Sequence, residues 1–445
     1  MRRALCVRLV LAVGCACCLL LPEHAGAQTC GVQGNPAVYG TCSGSTALVA
    51  STAYLDASAF YPADGDICQT INTVLTTYVP YAGAVVDARG ILPTSGDTLQ
   101  CSINPFSGVA VPSTVLLPAA NIQIKDTWVL PSNTRIVGGD PLPATTYATL
   151  QVQTIFSATN STMIQMCAST TAPCSGVSVE HLTIDGEDSA TIVHSLNGIY
   201  NLAAQDQSYV NDVKLNNIAL AGVLVGPNAQ QSGAYSNIYV VAPNPTCAAG
   251  SCPQCVVLQA QTRGIHGASC IGSPAVSGTQ GNAAISVQAS NNSVKDVHIE
   301  AFWDGVQVGS TTSTVQGVAI GNITAASNPT DGRSTNAVHI CGTNPNNSSN
   351  VCFPSGTPEA VSDVSVVEAS INAVYGTSVS AIRDDVTATT IAPPSGSTHP
   401  NWTVGAYILG DPVGGGTTPV QYSRFSTNPA GSHIGAHLGS RNNSS

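Results

Sequence analysis

Short trios with apolar outer residues and a mostly polar middle return about once every twenty residues along this chain. Ile285-Ser286-Val287 recurs as Val306-Gln307-Val308 after 21 residues. Val297-His298-Ile299 recurs as Val318-Ala319-Ile320 after 21 residues and as Val338-His339-Ile340 after 20 more. Ile218-Ala219-Leu220 and Ile238-Tyr239-Val240 stand 20 apart. A period of two with one apolar face is the signature of a strand that buries one side. Strands that repeat at this interval, with Gly and Asn between them, predict coils stacked on coils: an all-β solenoid of roughly ten turns.

One segment departs from the strand pattern. From Asp66 to Tyr78 the apolar residues Ile67, Ile71, Val74, Leu75 and Tyr78 fall on one helical face, and Asp66 is placed to cap it. A solenoid end exposes unpaired strand edges and an open core, so this helix is expected as an N-terminal capping helix. Short strands follow at Ala84–Asp87, Thr114–Leu117, Asn121–Ile124 and Thr134–Gly138. Val177–Val179 and Leu182–Ile184 then open the regular coils, which run to about Leu409. The expected organisation is a leader over 1–27, a cysteine-tied segment over 28–60, the solenoid over 61–410, and a loop and polar tail over 411–445.

Composition narrows the class. Only 8% of the 445 residues are charged, yet 43% are hydrophobic, so the chain can build a core while Ser, Thr, Asn and Gln supply its polarity. Arg2, Arg3 and Arg8, the apolar run Leu9–Leu21 and Ala25-Gly26-Ala27 read as a secretory signal. The run is too short to span a membrane, and Cys15 only loosely fits a lipid-attachment site. Without that segment 10 basic residues face 23 acidic ones, a net charge of −13, which argues against capture of nucleic acid by bulk charge. The expectation is a protein exported to the periplasm or the exterior, with no integral membrane segment. Nothing in the sequence speaks to its oligomeric state.

Twelve of the 16 cysteines follow the leader. They group locally as Cys30 with Cys42, Cys68 with Cys101, Cys167 with Cys174, and Cys341 with Cys352. Cys247, Cys252, Cys255 and Cys270 form a quartet. In an exported chain this reads as loop-stapling disulfides. The Cys252-Pro253-Gln254-Cys255 spacing leaves zinc open as a rival for the quartet.

Five stretches carry a family resemblance. Val86-Asp87-Ala88-Arg89-Gly90, then Val115-Leu116-Leu117-Pro118 and Trp128-Val129-Leu130-Pro131-Ser132-Asn133-Thr134, resemble the opening of the pectate-lyase superfamily, which includes polygalacturonase-like proteins. Val179-Glu180-His181-Leu182-Thr183-Ile184-Asp185-Gly186 and Asp304-Gly305-Val306-Gln307-Val308 resemble its coils. The resemblance covers roughly residues 60–410 and implies a right-handed, single-stranded parallel β-helix. That superfamily hosts lyases, hydrolases, isomerases and proteins without a known reaction, so the fold does not choose the chemistry.

The candidate chemistry gathers around Asp304. Aligning the coils suggests a ladder of Asn197, Asn282, Asp304, Asn336 and Asn372, in which Asp304 is the one ionised rung. The polygalacturonase branch places a catalytic Asp just before the same Gly-apolar strand, and Asp304-Gly305 matches that half-motif. Phe302-Trp303 stands where the branch has Asn-Thr, the next coil carries no Asp pair, and Gly-His-Gly is missing. Inverting hydrolysis needs two carboxylates across the bond, so a polygalacturonase mechanism is not expected. Alternation places Asp296, His298 and Glu300 outward on one strand. Asp304, Glu300 and His298 are the expected acid/base set, and Asp296, Glu300 and Asp304 could hold Ca²⁺ through carboxylate oxygens. Trp303 is the expected sugar platform, with Ser286, Gln307 and His339 as an outward hydrogen-bonding column. Arg263, His266 and Arg383 are further cations within the same region. The clusters Arg383-Asp384-Asp385 and Asp185, Glu187 and Asp188 read as turns.

Two functions remain open on these residues. One is a secreted carbohydrate-active enzyme, a polysaccharide lyase or glycoside hydrolase acting on an acidic or plant-type polysaccharide. The other is a non-catalytic glycan-binding or surface structural β-helix.

Overall fold

The computed structural model describes residues 54–323 apart from 63–64, 80–81, 94–95, 97, 140–147, 188–195, 242–252, 273–282, 301–303 and 309–312, and beyond that span the strands Val38–Tyr39, Asn336–Ile340, Ser365–Val367, Ser370–Ala373, Ser378–Ala381, Asp385–Val386, Thr390–Ala392, Ala406–Leu409 and His437–Gly439. The leader, Cys30, Cys42, Cys247, Cys252, Cys341, Cys352, Phe302, Trp303 and Arg383 lie outside the described residues, as do the side chains of Glu300, Asp304 and His339.

Among the described residues the strands form a short sheet and a second, larger sheet, to which some coils give one long strand and others two short ones. In the short sheet Trp128–Leu130 pairs with Thr162–Met166, which pairs with Asn197–Asn201. The series continues through Ala221–Val225, Gln254–Leu258, Ala283–Val287 and Asp304–Val308. It then runs through Asn336–Ile340 and Ser378–Ala381 to Ala406–Leu409 and His437–Gly439. All of these pairings are parallel, and each partner lies one coil further along the chain. Parallel strands joined by such crossovers wind right-handed, and the protein is a right-handed parallel β-helix. Eleven strands stand in the short sheet among the described residues, in keeping with the roughly ten coils the repeat predicts.

The strands of the larger sheet bend. Tyr209–Asn216 pairs with Ser178–Asp185 on one side and Tyr235–Val241 on the other, but the chain turns at Asp212. Asp212 has φ +53°, and its stacking neighbours His181, Asn237, Gly267 and Asp296 have φ +52°, +52°, +67° and +54°. A single left-handed residue in each strand makes a corner and gives the sheet two outward faces. The sequence reading separated Val177–Val179 from Leu182–Ile184; they are the two arms of one bent strand, Ser178–Asp185, hinged at His181.

Of the five expected ladder residues, Asn197, Asp304 and Asn336 share one column of the short sheet. Asp304 pairs with Ala283 and so not with Asn282, which itself lies outside the described residues. Asn372 belongs to the larger sheet, opposite Gly321. The recurrent left-handed position is instead filled by His, Asp, Asn, Gly and Asp, the types that tolerate it best. The trio Val338–Ile340 is also reassigned. It stacks on Val306–Val308 in the short sheet, not on Val318–Ile320. Ile238 pairs with Val213, and Ile218–Leu220 lies in the turn that precedes Ala221.

Inward columns form the core. Val86, Val115, Ile136, Val179, Val210, Tyr235, Ile265, Val294 and Val315 follow one another up the first arm, all fully or nearly fully buried. Val306 and Val308 are buried and Gln307 between them is half-buried, as alternation predicts. Tyr235 brings a hydroxyl into this apolar column, and burial pushes its pKa up to about 12. Its oxygen is satisfied by Asn201 Nδ2 at 2.8 Å and Ser232 Oγ at 3.0 Å. A buried polar group so paired avoids the penalty of an orphan.

The helix forms where expected, over Ile67–Thr73, with the Asp66 carboxylate accepting from the Gln69 amide at 2.9 Å. It widens into a π turn over Val74–Tyr78. Ile67, Ile71, Val74 and Leu75 are buried. Tyr78 is the exception on the expected apolar face: it is 37% exposed and leans on Phe60, ring centroids 4.6 Å apart. Cys68 joins the helix to the strand Thr98–Cys101 through a disulfide with Cys101.

Because the corner needs φ > 0, the residue type there sets local stability. Asn237 is exposed, so substitution changes little packing. Asn237→Gly should leave the unfolding free energy within about 0.5 kcal/mol, whereas Asn237→Val should lower it by about 1–2 kcal/mol. Chemical denaturation of the three proteins checks this, and equal stabilities would contradict the corner's role.

Candidate functional site

The two outward faces of the bent sheet carry columns of polar side chains in register. On the first face Glu180 is followed one coil at a time by Asn211, Ser236, His266 and Lys295. On the second face Thr183 is followed by Lys214, Tyr239, Ser269 and His298. The corner between them presents His181 and Asp212, with Nδ1 and Oδ2 2.6 Å apart, and further along Asn237, Gly267 and Asp296. Lys214, Tyr239, His266 and His298 are exposed.

One charged cluster is built from residues that the sequence did not bring together. Arg135 donates from Nε and Nη2 to Glu180, at 2.9–3.1 Å. Ser178 Oγ donates to the same carboxylate at 2.7 Å and Tyr209 Oη at 2.9 Å. These groups come from three successive coils, so the cluster staples them together. The Glu180 side chain is only 9% exposed while that of Arg135 is 48% exposed. Burial alone would raise the Glu180 pKa, but the bonds from Ser178, Arg135 and Tyr209 outweigh it and hold the carboxyl below its ordinary range. An ionised group this fully engaged is a structural tie and not a free acid or base.

The residues of the family-like opening have a comparable role. Asp87 accepts from Arg89 Nη2 at 2.8 Å and from the Tyr54 hydroxyl, joining the strand Tyr54–Asp56 to Ala84–Asp87. Asp185 accepts from the Glu187 amide at 3.0 Å and from Asn217 Nδ2 at 2.8 Å, the turn role expected of it.

The expected site residues fall on several elements. His298 points outward from the second face, opposite Ser269 and Ala319. Glu300 ends that strand, and Asp304 begins the next one in the short sheet, with residues 301–303 between them in the chain. Asp296 sits at the corner, a full arm of the strand before Glu300, about 13 Å of extended backbone. The side chains of Glu300 and Asp304 lie outside the described residues, so the expected Ca²⁺ set of Asp296, Glu300 and Asp304 stays an expectation. No group of three or more His, Cys, Asp or Glu suited to a metal occurs among the described residues. Ser286, Gln307 and His339 do share a column, but Ser286 is 1% exposed and accepts from Gln288, so it offers no open hydrogen-bonding surface. Its small side chain is overlain, which alternation alone does not reveal. Arg263 and His266 are exposed at the start of the first face.

Three disulfides occur among the described residues: Cys68–Cys101, Cys167–Cys174 and Cys255–Cys270. The last pairs two of the quartet and removes Cys255 and Cys270 from any zinc site. No helix among the described residues is long and apolar enough to cross a membrane.

No protein-family model matches the chain, and no curated protein matches it. Among solved structures it is similar to the ORF18 protein of Geobacillus virus E2 at 11% identity and a TM-score of 0.41, covering 87% of this chain and 61% of that one. The chain thus spans about three-fifths of the viral protein's length. It is similar to a tailspike protein mutant of E. coli bacteriophage HK620 in complex with a hexasaccharide, at 13% identity and a TM-score of 0.43, covering 87% and 75%. A third likeness is to the A-module of the Azotobacter vinelandii mannuronan C-5 epimerase AlgE4, at 11% identity and a TM-score of 0.33, covering 87% and 98%. At these identities the likeness does not extend to any site.

The depressed Glu180 pKa makes a pH prediction. The carboxylate's contribution to stability is complete above the unfolded-state value, about 4.3, and is lost as pH falls through the lower folded value. Glu180→Gln should cost roughly 1–3 kcal/mol at neutral pH, and the gap from wild type should narrow as pH falls below about 4. Denaturation midpoints across pH check this; a constant gap would show that the charge is irrelevant.

Proposed function

We propose that this is an exported β-helix that engages a polysaccharide along the outward faces of its bent sheet. The observation that carries the reading is the second-face column: Lys214, Tyr239, Ser269 and His298 repeat at the strand spacing, mixing cation, aromatic ring, hydroxyl and imidazole. A polymer of hydroxylated rings is recognised by such a mixture of stacking and hydrogen-bonding groups repeated along a surface. Export is supported by the leader-like N-terminal sequence and the three disulfides.

The enzymatic form of the reading assigns the chemistry to the end of the strand Ser293–Glu300 and the start of Asp304–Val308. Asp304 and Glu300 would act as acid and base, with His298 adjacent on the same strand and Trp303 as platform. Elimination of a uronate would break the C4–O bond and move the C5 proton to the base; hydrolysis would add water across the glycosidic bond. The non-catalytic reading keeps the same surface and drops the acid/base roles. It is favoured by Glu180, a carboxylate of these faces that is fully engaged in a structural tie.

A screen against uronate and neutral polysaccharides, with and without Ca²⁺, separates these readings. Unsaturated products indicate a lyase, new reducing ends alone a hydrolase, and retention without turnover the binding protein. If turnover occurs, Asp304→Asn should reduce kcat by roughly 100-fold or more while leaving the melting temperature unchanged. Undiminished turnover in that variant would remove Asp304 from the mechanism.

A further inference from the structure

One coil of the bent sheet is lower than its neighbours. On the second face Tyr239 pairs with Ser269 and Ser269 with His298, so ring, hydroxyl and imidazole stand in one column. Ser269 is half-buried, while Tyr239 is 36% exposed and His298 exposed. Two strand spacings, about 9.6 Å, separate the rung of the ring from the rung of the imidazole.

The orientation of the ring is set from the opposite side. Lys214 lies in the coil before Tyr239, and its Nζ stands over the ring, 5.7 Å from the centroid. One ring face therefore looks toward Lys214 and the other toward Ser269. The low rung continues to the corner, where Gly267, exposed and without a side chain, lies between Asn237 and Asp296. At the other end the half-buried Ile271 lies beside Val241, carrying an apolar floor toward the end of the strand at Glu300.

We propose that this notch is a saccharide subsite that takes a single pyranose ring between Tyr239 and His298, a reading that rests on the polysaccharide function proposed above. A saturated ring packs on an aromatic face at about 4.5 Å, so two such contacts need about 9 Å. That matches the two strand spacings between the walls. The C–H groups of a pyranose face the negative face of the Tyr239 ring, with the His298 imidazole as the opposite wall. The pyranose hydroxyls lie around the rim, where Ser269 forms the floor and Asp296 stands at the corner end. The notch runs along the strand and not along the solenoid axis. The next sugar unit on one side lies toward the end of the strand at Glu300, and on the other toward the corner.

The test uses the full mature protein and calorimetric titration with hexasaccharides cut from polygalacturonate, alginate, xylan and a neutral β-glucan. Ser269→Trp fills the notch and should weaken the binding of whichever hexasaccharide is retained by about ten-fold or more. Tyr239→Ala should weaken it by about ten-fold, and Tyr239→Phe, which keeps the ring, by no more than about two-fold. Lys125→Ala, several coils away, should leave it unchanged. Circular dichroism establishes that each variant is folded; should Ser269→Trp fail to fold, the contrast between Tyr239→Ala and Tyr239→Phe decides. Wild type that binds none of the four probes overturns both readings. Wild-type binding that survives Ser269→Trp and Tyr239→Ala overturns the subsite alone and leaves the polysaccharide reading standing.

Discussion

Everything in this molecule depends on each coil placing its residues directly over those of the coil before. Parallel strands one turn apart share their backbone hydrogen bonds, so a slip of one residue would turn every inward side chain outward. The column from Val86 to Val315 keeps that register through apolar packing. The left-handed corner keeps it through backbone conformation, since only there does the strand turn from one arm to the next. Polar ties reinforce the same alignment. Tyr235, Asn201 and Ser232 bond inside the core, and Arg135, Ser178, Glu180 and Tyr209 bond on its surface across three coils. Gly264 shows how closely the coils approach: its φ is +89°, and any Cβ there would run into the Ser293 carbonyl oxygen.

The same register that stabilises the core also organises the surface. Outward residues of successive coils are brought to one strand spacing, so groups some thirty residues apart in sequence become neighbours. Lys214 reaches the Tyr239 ring in this way, and Arg135 reaches Glu180 across 45 residues. A solenoid face is thus a regular lattice on which one small rung, such as Gly267 and Ser269, becomes a recess between taller ones. A chain with few charges can present chemistry because the lattice concentrates them. Among the described residues, Arg135, Lys214, Arg263 and Lys295 all project from the bent sheet or the turns that lead into it.

Much of the fold was legible in the sequence because the repeat is written in apolar pairs, Ile285 and Val287, Val306 and Val308. What the repeat could not show was which sheet a trio belonged to. Val338–Ile340 follows Val318–Ile320 at the coil interval, yet the two occupy different sheets, because the arms and turns of one coil are not all the same length. The corner escaped notice for a different reason. It is filled by His181, Asp212, Asn237, Gly267 and Asp296, which share a backbone conformation and not a residue type. The site was less legible still. Alternation put His298 outward as found, but Ser286 proved covered, and the Glu180 cluster could be seen only once 135, 178 and 209 were known to be stacked. The pairing of Cys255 with Cys270 likewise follows from stacking and not from spacing.

The central claim is that a glycan lies on the second face of the bent sheet. Hydroxyl-radical footprinting of the protein with and without a retained polysaccharide tests it most directly, because it reads side-chain exposure residue by residue. The account predicts that Tyr239 and His298 become protected while Tyr54 and Tyr78, both 37% exposed near the first coil, stay as reactive as before. Protection confined to other faces, with Tyr239 and His298 unchanged, would contradict it.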